Sequence, residues 1–337
     1  MPFADAAKGV KMRGFSVYVE NKVSSDSPYF VSDTQVRAAL GVLAENLEIN
    51  VNSERSPDLK ALETARYFIG SGFDPARLNR HGAALRLVHC TSAGVEMYMP
   101  LDWLPSNAAL TNSSGVHAEK GGAFGAMIVL MLCEEVPRHI QNQRLRRWDN
   151  RLSGSIGRKT IAICGMGALG SAIATRLRPF GPRIIGISRT GAANEVADEM
   201  VAVADLKDVL PQADCLVLSC PLTTETRGVI GKAEIALMKR GSSIFNVARG
   251  PVLDNRALCE ALASGHLSGA ALDVFDQEPL PAASPLWDAP NLVIFPHISC
   301  DDSEGYIDRC LSVFAENVRR DFAGEAFVNR VSREIGY

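Results

Sequence analysis

No uninterrupted apolar run in this chain approaches the roughly 18 residues that a membrane span needs. The opening Met1-Pro2-Phe3-Ala4-Asp5-Ala6-Ala7-Lys8 lacks the positively charged start and apolar core of a signal peptide. A soluble, cytoplasmic protein with no membrane partner is therefore expected. Excess charge is also scarce: 35 Lys and Arg stand against 38 Asp and Glu, a net charge of −3. No broad field would draw nucleic acid or an anionic membrane. The one basic cluster, Arg144, Arg146 and Arg147, reads as a solvated helix face or interface rim. Cysteine pairing is missing too. Cys90, Cys133, Cys164, Cys215, Cys220, Cys259, Cys300 and Cys310 show neither C-x-x-C spacing nor a histidine at metal-ligand intervals. Free thiols, a reducing compartment and no metal follow. Internal repeats and low-complexity stretches are absent as well.

What the chain does have is ordinary globular material, 337 residues at 47% hydrophobic and 22% charged, long enough for two domains. It is organised around Thr160–Thr190. The β-branched run Thr160–Cys164 predicts a buried strand. Gly165-Met166-Gly167-Ala168-Leu169-Gly170 follows at once, then Ser171–Leu177 with a helical apolar face, then a second strand over Arg183–Ile187. A glycine pattern set between strand and helix has a mechanical meaning: Gly165 permits the tight turn, Gly167 lets a pyrophosphate approach the backbone, and Gly170 lets helix and strand pack closely. Phosphates would sit on the helix N-terminus, where unbonded N–H groups and the positive dipole end point at them.

The end of the second strand bears on which dinucleotide is bound. An NAD site places Asp or Glu about 20 residues past the glycines, on the ribose 2′-OH. Here Ser188, Arg189 and Thr190 occupy that place, and no carboxylate comes before Glu195. A guanidinium flanked by hydroxyls suits a 2′-phosphate. NADP(H) is expected, with NAD the other possibility and a solvated Arg189 the plain alternative.

The rest of the chain alternates in the same way, which implies parallel, doubly wound α/β sheets. Strands are expected at Phe15–Val19, Leu47–Val51, Ala65–Ile69, Leu85–His89 and Ala108–Thr111. Helices are expected over Ser32–Ala44 and near Asp74–His81. A long buried helix spans Ala118–Val136, and another covers Arg138–Trp148. In that second helix Gln141, Gln143 and Trp148 read as packing residues, or as residues reaching a neighbouring subunit's site. Downstream, strands are expected at Cys215–Ser219, Ser243–Val247, Gly269–Phe275 and Leu292–Phe295. Helical segments fall at Leu206–Leu210, Lys232–Lys239 and Asp254–Ala263, and the amphipathic tail Ser303–Phe322 returns to the first domain. A hinge is expected near residues 117 and 300.

Three polar residues fall just past successive strand ends: Arg249, Glu278 and His297. Ligands of open parallel sheets bind outside those ends. Arg249 could hold a carboxylate and polarise the neighbouring carbonyl. His297 could give the forming alkoxide its proton and take one back in reverse. Glu278, accepting from the other ring nitrogen, would fix the ring and stabilise its charged form. Taken singly, each also has a plain reading as loop cation, turn charge or core histidine.

Gly165–Gly170, Pro221-Leu-Thr-Thr-Glu-Thr-Arg-Gly-Val-Ile230, Asn246-Val-Ala-Arg-Gly-Pro-Val-Leu-Asp254, Leu272-Asp-Val-Phe-Asp-Gln-Glu-Pro-Leu280 and Pro296-His-Ile-Ser299 resemble, in order, the motifs of the D-isomer-specific 2-hydroxyacid dehydrogenases. The likeness is dense over residues 157–301 and looser at Thr91-Ser-Ala-Gly-Val95 and Asn112-Ser-Ser-Gly-Val-His117. It implies a Rossmann nucleotide-binding domain, residues 118–300, inserted into a flavodoxin-like substrate domain of residues 1–117 and 301–337, paired as a homodimer. It implies a catalytic set of Arg249, Glu278 and His297. The coenzyme would touch Gly165, Met166, Gly167, Ala168, Leu169, Gly170, Ser188, Arg189, Thr190, Cys220, Pro221, Thr226, Val247, Ala248, Arg249, Asp273 and His297. Ser92, Ala93 and Gly94 would hold the substrate carboxylate with backbone N–H groups, alongside Arg249 and His297. The sequence departs from many such proteins in reading Gly122-Ala123 where they carry Ala-Glu. The activity implied is NADP(H)-dependent reduction of a small 2-oxo acid, glyoxylate or hydroxypyruvate, to the D-alcohol. A dinucleotide-sensing, corepressor-like binding protein and phosphite-type oxidation are the alternatives, and Glu278 argues against formate oxidation, whose enzymes carry an amide there.

Overall fold

The computed structural model describes residues 15–334 and 336. Met1–Lys8, read above for a signal, lies outside the described residues. The chain divides into two compact units, one made of the residues up to Val116 together with those from Ser303 onward, the other of His117–Asp302. No helix among the described residues is long and apolar enough to cross a membrane.

The first unit runs β1 (Phe15–Asn21), α1 (Asp33–Leu40), β2 (Leu47–Ser53), α2 (Leu59–Thr64), β3 (Tyr67–Gly70), α3 (Pro75–His81), β4 (Leu87–Cys90) and β5 (Ala109–Asn112), with a C-terminal helix Tyr306–Ala323. Its five strands are all parallel, in the order β2-β1-β3-β4-β5. That is the flavodoxin-like order. One face is covered by α1 and the C-terminal helix, which bury Val36, Leu40, Ile307, Leu311 and Phe314 against Val17, Val19 and Ile69. The tail thus returns to this unit as expected. Ser32 caps α1 by accepting from the Gln35 N–H, and Gln35 reaches back to the Ser32 N–H. The helix stops at Leu40, four residues short of expectation, because Gly41 turns to φ 58° and the chain continues as the tight turn Gly41–Asn46.

The second unit opens with α4 (Ala118–Cys133) and α5 (Val136–Arg144). Then come β6 (Thr160–Cys164), α6 (Ala168–Leu177), β7 (Arg183–Ser188), β8 (Glu199–Ala202), α7 (Leu206–Val209), β9 (Cys215–Leu218), α8 (Lys232–Leu237), β10 (Ser242–Asn246), α9 (Asn255–Ala263), β11 (Leu267–Leu272) and β12 (Leu292–Ile294). Seven parallel strands lie in the order β12-β11-β10-β9-β6-β7-β8. Numbered within the unit this is 7-6-5-4-1-2-3, the doubly wound nucleotide-binding arrangement whose order reverses between β6 and β9. The fold class expected from the alternation therefore holds in both units.

Two readings of the second unit are corrected. The helix expected over Arg138–Trp148 begins at Val136, since Pro137 in a first turn lacks only an N–H that no helical acceptor needs. It ends at Arg144, and Arg146 turns to φ 52°. Trp148 therefore lies beyond the helix, 96% exposed, and Gln141 and Gln143 are exposed as well, so none of the three packs a helix. The glycines of α4 have a packing cause: a Cβ on Gly122 would lie 2.9 Å from the Ala172 Cβ, and one on Gly125 would lie 2.5 Å from the Ile173 Cδ1. Substituting Gly125 with Leu should lower the midpoint of thermal unfolding by several degrees, since overpacking costs about 1–3 kcal/mol; an unchanged melting curve would show that α4 and α6 can separate.

Candidate active site

At the switch point, β6 passes directly into the glycine turn and α6. Gly165 takes φ +106°, and a Cβ there would lie 2.4 Å from the Cys220 backbone nitrogen. A Cβ on Gly170 would lie 2.0 Å from the Gly165 carbonyl oxygen. Only glycine fits either place. Gly167 is different: nothing lies within 4 Å of its Cβ position, and it begins α6 with extended backbone and no side-chain cap. Among the described residues the N–H groups of Ala168, Leu169 and Gly170 meet no acceptor, the arrangement an anionic diphosphate needs. Met166 and Leu169 are half-buried and Ala168 is exposed. Neighbouring side chains hold the turn's carbonyls: the Ser219 hydroxyl donates to Gly165 at 2.8 Å and the Ser171 hydroxyl donates to Met166 at 3.1 Å.

β7 ends in Ser188, and Arg189 and Thr190 are exposed beyond it. The Ser188 Oγ accepts from the Gly191 N–H at 3.0 Å, closing the turn. The polar side chain stitched from this region to the glycine turn is Asn194, whose amide nitrogen reaches the Ser171 Oγ at 3.0 Å and the Met166 carbonyl at 3.4 Å. No carboxylate stands between the end of β7 and Asn194, unlike sites that hold a ribose 2′-OH with Asp or Glu. Sequence reading missed Asn194 and Ser219; a short polar side chain directly after a buried strand was the available signal for Ser219.

At the end of β9, Cys220 is buried beside Cys164, and the hydrogen bond between the two thiols lowers the Cys220 pKa against the raising effect of burial. The Thr226 hydroxyl donates to the Pro221 carbonyl at 2.6 Å and accepts from the Thr223 N–H at 2.8 Å, so Thr226 shapes the loop that presents Pro221. Val247 and Ala248, past β10, are buried at the sheet's edge.

Arg249, Glu278 and His297 lie on loops leaving β10, β11 and β12, three neighbours in the sheet. Asn246, fully buried, braces the first loop: it accepts from the Ala248 N–H at 3.0 Å and donates to the Arg249 carbonyl at 3.1 Å. Arg249 is half-buried, and one guanidinium nitrogen donates to the Ala248 carbonyl at 2.7 Å. A Cβ on Gly250 would lie 2.1 Å from the Phe275 carbonyl carbon, so this loop rests directly on the backbone leaving β11. There the Glu278 carboxylate bridges two groups. One oxygen accepts from the Phe275 N–H at 2.9 Å, and the other meets His297 Nδ1 at 2.7 Å. A carboxylate on Nδ1 keeps a proton on that nitrogen and leaves Nε2 to face a ligand. Side-chain exposures of 46% for His297 and 36% for Glu278 leave the pair accessible.

His297 adopts φ +56°, a conformation costing a non-glycine residue about 1–3 kcal/mol unless its surroundings enforce it. Asp273 does so. The strand β11 ends at Leu272, three residues before the expected end, which makes Asp273 the first residue of the loop. Its carboxylate, 1% exposed, accepts from the Ile298 N–H at 3.0 Å and from the Ser299 N–H and hydroxyl at 3.2 and 2.5 Å. Burial raises its pKa, against the lowering effect of these donors. Asp273 thereby clamps the two residues after His297.

Ser92, Ala93 and Gly94 belong to the other unit, on the loop leaving β4. Among the described residues, their backbone N–H groups meet no acceptor. Consecutive amides with no protein acceptor are the kind of donors that can form an anion-binding nest.

Residues 126–299 match the family model described as the D-isomer specific 2-hydroxyacid dehydrogenase NAD binding domain. The chain is 31% identical to glyoxylate/hydroxypyruvate reductase B of Pectobacterium carotovorum over 287 residues, 83% of this chain and 89% of that protein. The solved D-isomer specific 2-hydroxyacid dehydrogenase of Xanthobacter autotrophicus Py2, in complex with NADPH and MES, superimposes with a TM-score of 0.81 at 30% identity, covering 96% of this chain and 99% of that one. The NADPH-dependent glyoxylate/hydroxypyruvate reductase of Sinorhizobium meliloti, in complex with NADP and sulfate, gives 0.80 at 26% identity, covering 96% and 100%. With the strand order, the glycine turn and the histidine–glutamate pair already placed, the chain belongs to the D-isomer specific 2-hydroxyacid dehydrogenase family.

Proposed function

We propose that this protein is an NADP(H)-dependent reductase of small 2-oxo acids, glyoxylate or hydroxypyruvate, yielding the D-2-hydroxy acid. The observation that carries the reading is the Glu278–His297 pair, on the loops of the two strands next in line after that of Arg249, at the carboxyl edge of a nucleotide-binding sheet. The reductase relatives and the NADPH- and NADP-bound neighbours support the substrate class and coenzyme. The open N-terminus of α6 would hold the pyrophosphate, and Arg189 with Ser188 and Thr190 the 2′-phosphate. The reduced nicotinamide, when bound, supplies the hydride. Arg249 would grip the substrate carboxylate and polarise the adjacent carbonyl. The amides of Ser92, Ala93 and Gly94 would share that carboxylate. His297 Nε2 would give its proton to the carbonyl oxygen as the bond becomes an alcohol, while Glu278 keeps the ring oriented. In this reading residues up to 117 and from 301 onward form the substrate domain, and 118–300 the coenzyme domain.

Loss of the reduced-nicotinamide absorbance with glyoxylate or hydroxypyruvate tests the reading. Turnover with NADPH is expected, and D-glycerate but not L-glycerate should be oxidised in reverse. Tight NADPH binding with no turnover across a panel of 2-oxo acids would leave a binding protein instead. For the coenzyme, Arg189→Ala should weaken NADPH by roughly 10- to 100-fold and NADH by less than threefold, the value of a charge-assisted hydrogen bond. Equal weakening would remove the 2′-phosphate from Arg189. Leu145, Trp148 and Leu152, exposed at 59%, 96% and 94%, support pairing with a second copy, which light scattering reads directly. Eight free thiols fit a reducing compartment, in keeping with a cytoplasmic enzyme.

A further inference from the structure

The loop leaving β4 is held by an uninterrupted series of bonds to its carbonyls. The Thr91 carbonyl accepts from the Tyr306 hydroxyl at 2.5 Å and from the Cys310 thiol at 3.3 Å. The Ser92 carbonyl accepts from the Ser113 N–H at 3.1 Å, and the Ala93 carbonyl from the Asn112 side-chain amide at 2.7 Å. The Gly94 carbonyl accepts from the Ser92 hydroxyl at 2.8 Å. In a trans peptide the C=O of one residue and the N–H of the next point in opposite directions. Each carbonyl held inward therefore turns one N–H outward. Thr91 aims the N–H of Ser92, Ser92 that of Ala93, and Ala93 that of Gly94. These are the three amides that meet no acceptor among the described residues.

Of the three carbonyls that aim these amides, those of Thr91 and Ala93 are held by side chains, so the aim of two amides depends on particular residues. Tyr306 and Cys310 stand four residues apart on the C-terminal helix, one turn apart on the same face, and both donors converge on one oxygen. Both residues are buried, and the Tyr306 ring packs edge-on against Tyr29 with centroids 5.6 Å apart. Asn112 is fixed in turn, accepting from the Ser114 N–H at 3.1 Å while Asn329 donates to its carbonyl at 3.2 Å.

We infer that Tyr306, backed by Cys310, is a positioning residue for the substrate carboxylate: by holding the Thr91 carbonyl it presents the Ser92 N–H to the anion. Tyr306 touches neither coenzyme nor reacting atoms in this scheme. The inference rests on the proposed reading of Ser92–Gly94 as the carboxylate nest, and it adds a residue from the far end of the chain on which that nest depends.

Tyr306→Phe removes only the hydroxyl and keeps the ring. In the full-length protein it should raise KM for glyoxylate about three- to tenfold, leaving kcat and the Kd of NADPH within twofold. Oxalate, a dicarboxylate that cannot be reduced, should lose affinity by the same factor in competition with glyoxylate. Cys310→Ala, removing the weaker donor, should raise KM by about twofold, and it carries the test if Tyr306→Phe does not fold. A purely structural role would lower the unfolding temperature with KM unchanged, and that result overturns the inference while leaving the reductase reading intact. Wild-type protein without turnover of any 2-oxo acid would remove both. A fall in kcat with KM unmoved would also overturn it, since the Ser92 N–H would then not be a carboxylate ligand.

Discussion

Replacing His297 with Ala is expected to lower kcat for glyoxylate reduction by roughly a thousandfold, within the range a positioned general acid supplies. The Kd of NADPH should change less than threefold, because the glycine turn and the residues proposed for the 2′-phosphate lie on other loops. The size of the effect follows from the geometry. Glu278 claims Nδ1 at 2.7 Å, so Nε2 is the ring atom left for the substrate, and no other residue on these three loops offers an imidazole. Glu278→Gln leaves a neutral partner on Nδ1 and should cost less, about ten- to a hundredfold. Stopped-flow traces of coenzyme oxidation in both variants, with coenzyme binding followed by fluorescence, separate loss of the proton donor from loss of the fold. Full turnover in His297→Ala would transfer the acid role elsewhere.

The parts of this site that could be read from sequence are those in which local chain direction decides the geometry. A glycine turn between a β-branched strand and an apolar helix has one way to fold, and Gly165 at φ +106° against Cys220 shows why no other residue would do. Arg249, Glu278 and His297 were legible because each follows an apolar run, and parallel strands deliver their carboxyl ends to one edge. What escaped notice was held by long-range bonds. Tyr306 meets Thr91 across 215 residues, and no periodicity links them. Asn112 and Asn194 act through short side chains on backbone groups, a use any loop asparagine could have. The clamp of Asp273 on residues 298–299 was hidden by placing the end of β11 three residues late, which turned a loop carboxylate into part of a strand. The strand β8 was not expected: it is four residues long and carries no fully buried residue. Trp148 misled in the other direction: an aromatic near a helix was taken for packing when the chain had already turned outward at Arg146.

Arg249 provides the most demanding test, because the variant that preserves its charge should fail almost as badly as the one that removes it. A guanidinium can hold a carboxylate through two parallel N–H bonds while presenting further donors to the carbonyl; an ammonium is a point charge on a flexible stem. One guanidinium nitrogen is already fixed to the Ala248 carbonyl at 2.7 Å, so the fork is oriented before substrate arrives. Arg249→Lys loses that anchor and the planar pairing together. Its kcat/KM should fall by roughly a hundredfold or more, and Arg249→Ala by about a thousandfold or more. The loop itself should survive, since Asn246 braces the backbone at Ala248 and Arg249 without using the arginine side chain. Thermal unfolding within a few degrees of wild type is therefore expected in both variants. Added guanidinium ion should restore part of the activity of Arg249→Ala and none of that of His297→Ala, because it replaces the missing cation but not the missing proton donor. Arg249→Lys retaining wild-type kcat/KM would reduce Arg249 to a general source of positive charge and overturn its role in orienting the carboxylate.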